Sequence, residues 1–153
     1  MKTIGIILIS TFLLMCKDPL SVSKATSKKW VGGIPEAGTG VIYSVYFKVN
    51  KSGVFEVGDM WIDNEHYSTT AFKNNAQMPS SYYEKGDTVV IVGRRNYPPS
   101  NPDYIRGEYE IGVDQVKAPK EFSSKALIKY SFRGKIEFIE INEFDELEMD
   151  IYQ

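Results

Sequence analysis

Between residues 41 and 49 the chain alternates without a break. Val41, Tyr43, Val45, Phe47 and Val49 fall on one side, and Ile42, Ser44, Tyr46 and Lys48 on the other. Successive side chains of a β-strand point to opposite faces, so this period of two specifies a strand with one face buried and rejects a helix. The same kind of segment recurs along the chain. Residues 54–62 follow the turn Asn50-Lys51-Ser52-Gly53, which predicts an antiparallel hairpin with 41–49. Asp63-Asn64-Glu65 turns into a weaker strand over 66–72, and 87–94 carries the β-branched run Val89 to Val92. Residues 106–113 form a further candidate. Residues 126–132 and 135–141 make a second hairpin around Arg133-Gly134, and 144–151 supplies a last strand or edge segment.

About seven to eight short strands separated by turn residues, with no amphipathic helix, predict an all-β fold. The expected architecture is an immunoglobulin-like antiparallel β-sandwich, with a small β-barrel as the alternative. The two cysteines that bridge the sheets of true immunoglobulin domains are missing, so the likeness is one of architecture. With 153 residues, 42% hydrophobic and 25% charged, the chain has the balance of one ordinary globular domain. A single cysteine excludes an internal disulfide, and a single histidine excludes a multi-histidine zinc site within the chain. Neither a metal nor another cofactor is expected. The formal charge of -2 and the lack of a basic stripe argue against nucleic acid as a partner.

The first residues carry an address. Lys2 precedes the apolar run from Ile4 to Met15, which has the length of a signal-peptide core and is too short for a spanning helix of roughly 20 residues. The run ends in Leu13-Leu14-Met15-Cys16, followed by Lys17-Asp18. This resembles a bacterial lipoprotein signal. Leu13 matches the aliphatic position three places before the cysteine, whereas Met15 stands where the pattern prefers Gly, Ala or Ser. The resemblance implies that residues 1–15 are removed and that Cys16 is lipidated. It implies an exported protein held in the cell envelope, at the outer membrane, by its N-terminal lipid. Cleavage after the small-x-small triplet Ser21-Val22-Ser23, giving a plain secreted or periplasmic protein, is the competing reading. Residues 16–29, rich in Ser, Lys and Thr, read as a flexible tether, and the folded domain is expected over 30–153. The stretch from Trp30 through Gly32-Gly33 into the alternating strand is similar to small uncharacterised exported bacterial β-domains, a likeness that assigns no activity.

Candidate sites are few. Gly32-Gly33-Ile34-Pro35-Glu36-Ala37-Gly38-Thr39-Gly40 lacks the Lys-Ser/Thr pair and the following helix of a phosphate loop, so a turn entering the sheet is expected. His66 lies near Asp63, Glu65 and Ser68, but residues two apart on a strand stand nearly 7 Å from one another, too far for a direct relay. Asp59, Asp63 and Glu65 are candidate oxygen ligands without the spacing of a calcium loop. If the alternation were unbroken Asp59 would point inward, so a bulge at Gly58 is expected. The segment from Arg94 to Tyr104 holds Arg94, Arg95, Tyr97 and Tyr104 among three prolines, and Tyr82-Tyr83 lies just upstream. Rigid loops with tyrosine and arginine suit recognition of a protein or glycan, against a structural reading in which proline stiffens a crossover. From Glu137 onward there are seven acidic residues and no Lys or Arg, which either meet a basic partner or keep an edge strand soluble.

These observations point to a non-enzymatic, lipid-anchored binding or structural domain. An envelope inhibitor or immunity-type protein and a hydrolase using Asp59, Asp63 or Glu65 are the alternatives.

Overall fold

A computed structural model describes residues 18–34, 38–73, 76–78, 80–97 and 116–152. They form a two-sheet β-sandwich with no helix. The strands are β1 (Leu20–Gly32), β2 (Thr39–Val49), β3 (Gly53–Ile62), β4 (Glu65–Tyr67), β5 (Thr69–Lys73), β6 (Ala76–Gln77), β7 (Ser80–Tyr83), β8 (Thr88–Tyr97), β9 (Ala126–Phe132), β10 (Lys135–Ile141) and β11 (Asp145–Tyr152). One sheet has the order β11-β1-β2-β8-β5-β6. The other runs β10-β9-β3-β4, with β7 also on β3. The predicted inward row of β2 is the core of the first sheet: Val45, Phe47 and Val49 are fully buried against Phe55, Met60, Ile62, Ile128 and Tyr130 of the second.

Three expectations are corrected. The predicted tether is ordered from Leu20 onward. Leu20 is buried, and β1 pairs antiparallel with β2 and parallel with β11, which makes the first sheet mixed rather than purely antiparallel. Register shifts between Val22 and Lys24, and between Lys28 and Trp30, break the period of two. Backbone pairing on both sides holds this polar strand, so its side chains give no apolar signal. Second, β2 and β3 are not a hairpin. The 50–52 turn carries the chain from one sheet to the other, with Asn50 N–H donating to Pro19 C=O (2.8 Å). Gly53 makes the sharp entry possible, because a Cβ there would overlap the Phe132 ring. Third, the expected strand over 66–72 splits at Ser68, leaving β4 in the second sheet and β5 in the first.

Other local readings stand. Asp63 and Asn64 (φ 50° and 67°) and Arg133 and Gly134 (φ 50° and 79°) make the two tight turns, both central residues left-handed as a twisted two-residue hairpin requires. The bulge falls between Val57 and Met60, at Gly58 and Asp59. It reverses the faces that follow: Met60 and Ile62 enter the core, while Trp61 turns to the outer surface of the second sheet. There Trp61 is buried beside Leu127, and its indole N–H donates to Val116 C=O at 2.7 Å. The predicted strand at 106–113 lies outside the described residues.

Candidate functional site

The core ends before the strands do. Beyond Val45 and Ile91 the inward rows of β2 and β8 continue as Tyr43 and Val41, and as Gly93, Arg95 and Tyr97, with Tyr43 opposite Gly93 and Val41 opposite Arg95. From the second sheet, Tyr67 reaches the same end. The Tyr43 and Tyr67 rings meet edge to face at 5.5 Å, and Tyr43 meets Phe144, from the β10–β11 connection, at 5.0 Å. Gly93 leaves room for this cluster, since a Cβ there would overlap Met60 Cε and lie 3.4 Å from Tyr67 Cβ.

Beside the rings is an open cleft of about 430 Å³ lined by Ser27, Lys29, Val41, Tyr43, Lys125, Asn142, Glu143, Phe144 and Glu146. That volume lies within the range of small-ligand sites, roughly 300–1,000 Å³. Its wall combines two aromatic rings with hydroxyl, amide, ammonium and carboxylate groups. Lys29 pairs with Glu146 at 2.6 Å, and Lys125 donates to both oxygens of Asp63 at 2.8 and 2.7 Å. The Glu146 carboxyl is held below its usual range by the Lys29 hydrogen bond, and Lys29 is raised by the same contact. Burial pushes the Tyr43 hydroxyl up, although its hydrogen bond with Tyr67 acts the other way. Burial raises Tyr67 as well, with Tyr43 and Tyr97 adding to the effect. Both phenols are therefore neutral hydrogen-bonding groups at any ordinary pH.

The expected recognition residues are dispersed. Arg94, Arg95 and Tyr97 lie on β8 rather than in a loop, because the strand runs on to pair with β2 as far as Thr39. Alternation then separates the two arginines. Arg95 turns inward, pairs with Glu65 across the sheets, and lies 6.0 Å from the Tyr67 ring centroid and 5.4 Å from that of Tyr97. Arg94 is on the outer face of the first sheet. Tyr97 is 45% exposed at the end of the strand. Tyr104 lies outside the described residues. Tyr82 and Tyr83 sit on β7 against the start of β3, at the opposite end of the sandwich. Tyr83 is corrected to a core residue: it is 1% exposed, stands edge to face with Phe55, and its hydroxyl donates to Met78 C=O at 3.2 Å. Tyr82 remains exposed.

The carboxylates considered as calcium ligands go to separate partners: Asp63 to Lys125, Glu65 to Arg95, and Asp59 to His66 (2.8 Å) and Lys129 (3.6 Å). Among the described residues no group of three or more His, Cys, Asp or Glu comes together. Comparison with known proteins returns no matching family model, no matching curated protein and no matching solved structure. Chemistry alone therefore carries the functional reading. The cleft residues Tyr43, Phe144, Lys29 and Lys125, and Tyr67 packed beside them, carry no local motif in the sequence. The one usable signal was Tyr43, a polar ring in a row otherwise made of Val and Phe.

Proposed function

We propose that the chain is an exported, lipid-anchored cell-envelope protein whose sandwich is a non-enzymatic glycan-binding domain. The observation that carries this is the cleft: ring faces from Tyr43 and Phe144 beside the Asn142 amide and the Ser27 hydroxyl match the mixed apolar and hydroxylic surface of a sugar. Sugar hydrolysis commonly uses two carboxyl groups, one with a raised pKa that donates a proton. Glu146 is shifted the opposite way by Lys29, which disfavours it as that acid. Four of the seven acidic residues from Glu137 onward are matched within the chain, through Lys28–Asp150, Lys29–Glu146, Lys120–Glu140 and Lys135–Glu137, which favours the edge-solubility reading over a basic partner.

The course of β1 supports processing at Cys16. Ser21-Val22-Ser23 lies inside this strand, paired with β2. Cleavage after Ser23 would remove buried Leu20, its pairing to Val49, and the Pro19 carbonyl that holds Asn50. Cleavage before Cys16 leaves the sheet whole. Four residues from Cys16 to Leu20 reach at most about 14 Å, so the end of the sandwich formed by the 50–52, 84–87 and 133–134 turns would rest close to the headgroups. Exposed Lys48, Lys51, Lys85 and Arg133 lie at that end. Tyr43 is six positions along β2 from Val49, about 20 Å away, so the cleft faces away from the bilayer.

Titration of the full chain with an N-acetylglucosamine tetramer tests the glycan reading. Tyr43→Phe, which keeps the ring, should bind as wild type, and Tyr43→Ala should weaken binding about tenfold, equivalent to about 1.4 kcal/mol. Asn142→Ala, at an exposed position, should weaken binding severalfold with an unchanged unfolding midpoint. Undiminished binding in both alanine variants would remove the cleft from the account.

A further inference from the structure

The adjacent residues Arg94 and Arg95 have opposite fates. Arg95 faces inward and is neutralised by Glu65. Arg133 donates to Ser52 C=O at 2.8 Å. Arg94, on the outer face, is the one described arginine with no hydrogen bond or ion pair among the described residues. It lines a second cleft, of about 280 Å³, with Ser68, Thr70, Phe72, Gln77 and Val92. Among the described residues no carboxylate lies in that wall.

The ladder explains how the cleft is assembled. Thr70 pairs with Val92 and Phe72 with Val90 on β8, while Gln77 of β6 stands opposite Phe72. Continuing the register from Thr69–Gly93 brings Ser68 across from Arg94. Thr70 and Phe72 share one face of β5 at the spacing of about 7 Å set by alternate residues, and Ser68 lines the cleft from just before the strand. A guanidinium fork therefore stands at one end with a hydroxyl beside it. A second hydroxyl and an apolar strip from Val92 and Phe72 follow, and an amide lies toward the far end.

We propose that this outer cleft is a second binding site, distinct from the tyrosine cleft, that takes a small acidic sugar of the uronic acid class. The carboxylate would sit on Arg94, which offers a planar pair of donors matched to its two oxygens. Ser68 adds a hydroxyl at the same end. The ring lies along Thr70 and Val92, its hydroxyls reaching Thr70 and Gln77 and its C–H face against Phe72. At about 280 Å³ the space lies just below the usual range of ligand sites, roughly 300–1,000 Å³, which favours a single small unit over a long chain. The site does not depend on the lipid anchor or on the glycan reading of the tyrosine cleft.

Amide chemical-shift titration of the full chain with sodium glucuronate tests it, with glucose as the neutral control. Glucuronate should give saturable shifts at residues 68–72, 77 and 92–94, and glucose should give none there. Arg94→Gln, at an exposed position, should weaken glucuronate at least tenfold with the unfolding midpoint unchanged. Arg94→Lys, which keeps the charge and loses the fork, should weaken it severalfold. Thr70→Val should weaken glucuronate but leave benzoate, a planar carboxylate without hydroxyls, unaffected. Absence of saturable shifts with glucuronate, equal shifts with glucose, or an undiminished response in Arg94→Gln would each overturn the proposal.

Discussion

Gly93→Val is expected to cost the fold about 3 kcal/mol, at the upper end of what overpacking a well-filled interior does. Gly93 lies in the middle of β8, where glycine is ordinarily unfavourable because it supplies no side chain to pack. Its place is explained by what fills the space above it. A Cβ at this position would overlap Met60 Cε and press on Tyr67 Cβ, so both side chains of the second sheet would have to retreat. Gly93→Ala should lose about half as much, because its single methyl can be met by a shift of the flexible Met60 side chain. Urea unfolding measures the loss, and near-ultraviolet circular dichroism should show a changed tyrosine signal as the Tyr43–Tyr67 contact opens. A Gly93→Val protein as stable as wild type, with an unaltered tyrosine signal, would mean that this glycine does not set the spacing at the cleft.

Trp61→Ala is expected to be the costliest single change, about 3–5 kcal/mol, as is usual for removing a buried large aromatic ring. Trp61 is 2% exposed on the outer face of the second sheet, opposite His66, whose ring lies 5.7 Å away. Its indole N–H fastens the segment beginning at Val116 over that face. Trp61→Phe would keep most of the ring contact but leave the Val116 carbonyl without that donor, and should lose about 1–2 kcal/mol. Hydrogen exchange should then rise across residues 116–124 more than in β2. A Trp61→Ala loss below about 1 kcal/mol would contradict the assignment of this face as a second packed layer.

The same residues show what the sequence made legible. The row from Val41 to Val49 could be read because one face of β2 meets a full hydrophobic core. The two turns could be read because Asp63, Asn64 and Gly134 tolerate left-handed backbone, and the bulge because an inward Asp59 would have been costly. The first strand was hidden by its own chemistry. Leu20 and Ala25 are its small contribution to the core, and the stretch from Thr26 to Lys29 is polar sequence held by backbone ladders to β2 and β11. Pairing partners were equally hidden, since the 50–52 turn crosses between sheets yet contains the residues of a hairpin.

The candidate recognition residues were legible by type but not by placement, for a related reason. The prolines that follow Arg94, Arg95 and Tyr97 signal a loop, whereas cross-strand pairing with Thr39 to Ile42 extends β8 through all three. Period two then sends Arg94 and Arg95 to opposite faces. Tyr43, Tyr67 and Phe144 come from distant parts of the chain, and no local pattern announces that the two sheets bring them together.

A lipidated Cys16 and an intact β1 stand or fall together, because both follow from where the mature chain begins. Intact-mass analysis of the full-length protein, expressed in a bacterium with an outer membrane and extracted from the membrane fraction, measures this directly. The predicted result is a chain starting at Cys16 and carrying acyl-glyceryl mass on that residue, with Cys16→Ala moving the protein from the detergent phase to the aqueous phase. A soluble mature chain starting at Lys24, without added mass and with the sandwich still folded, would contradict it.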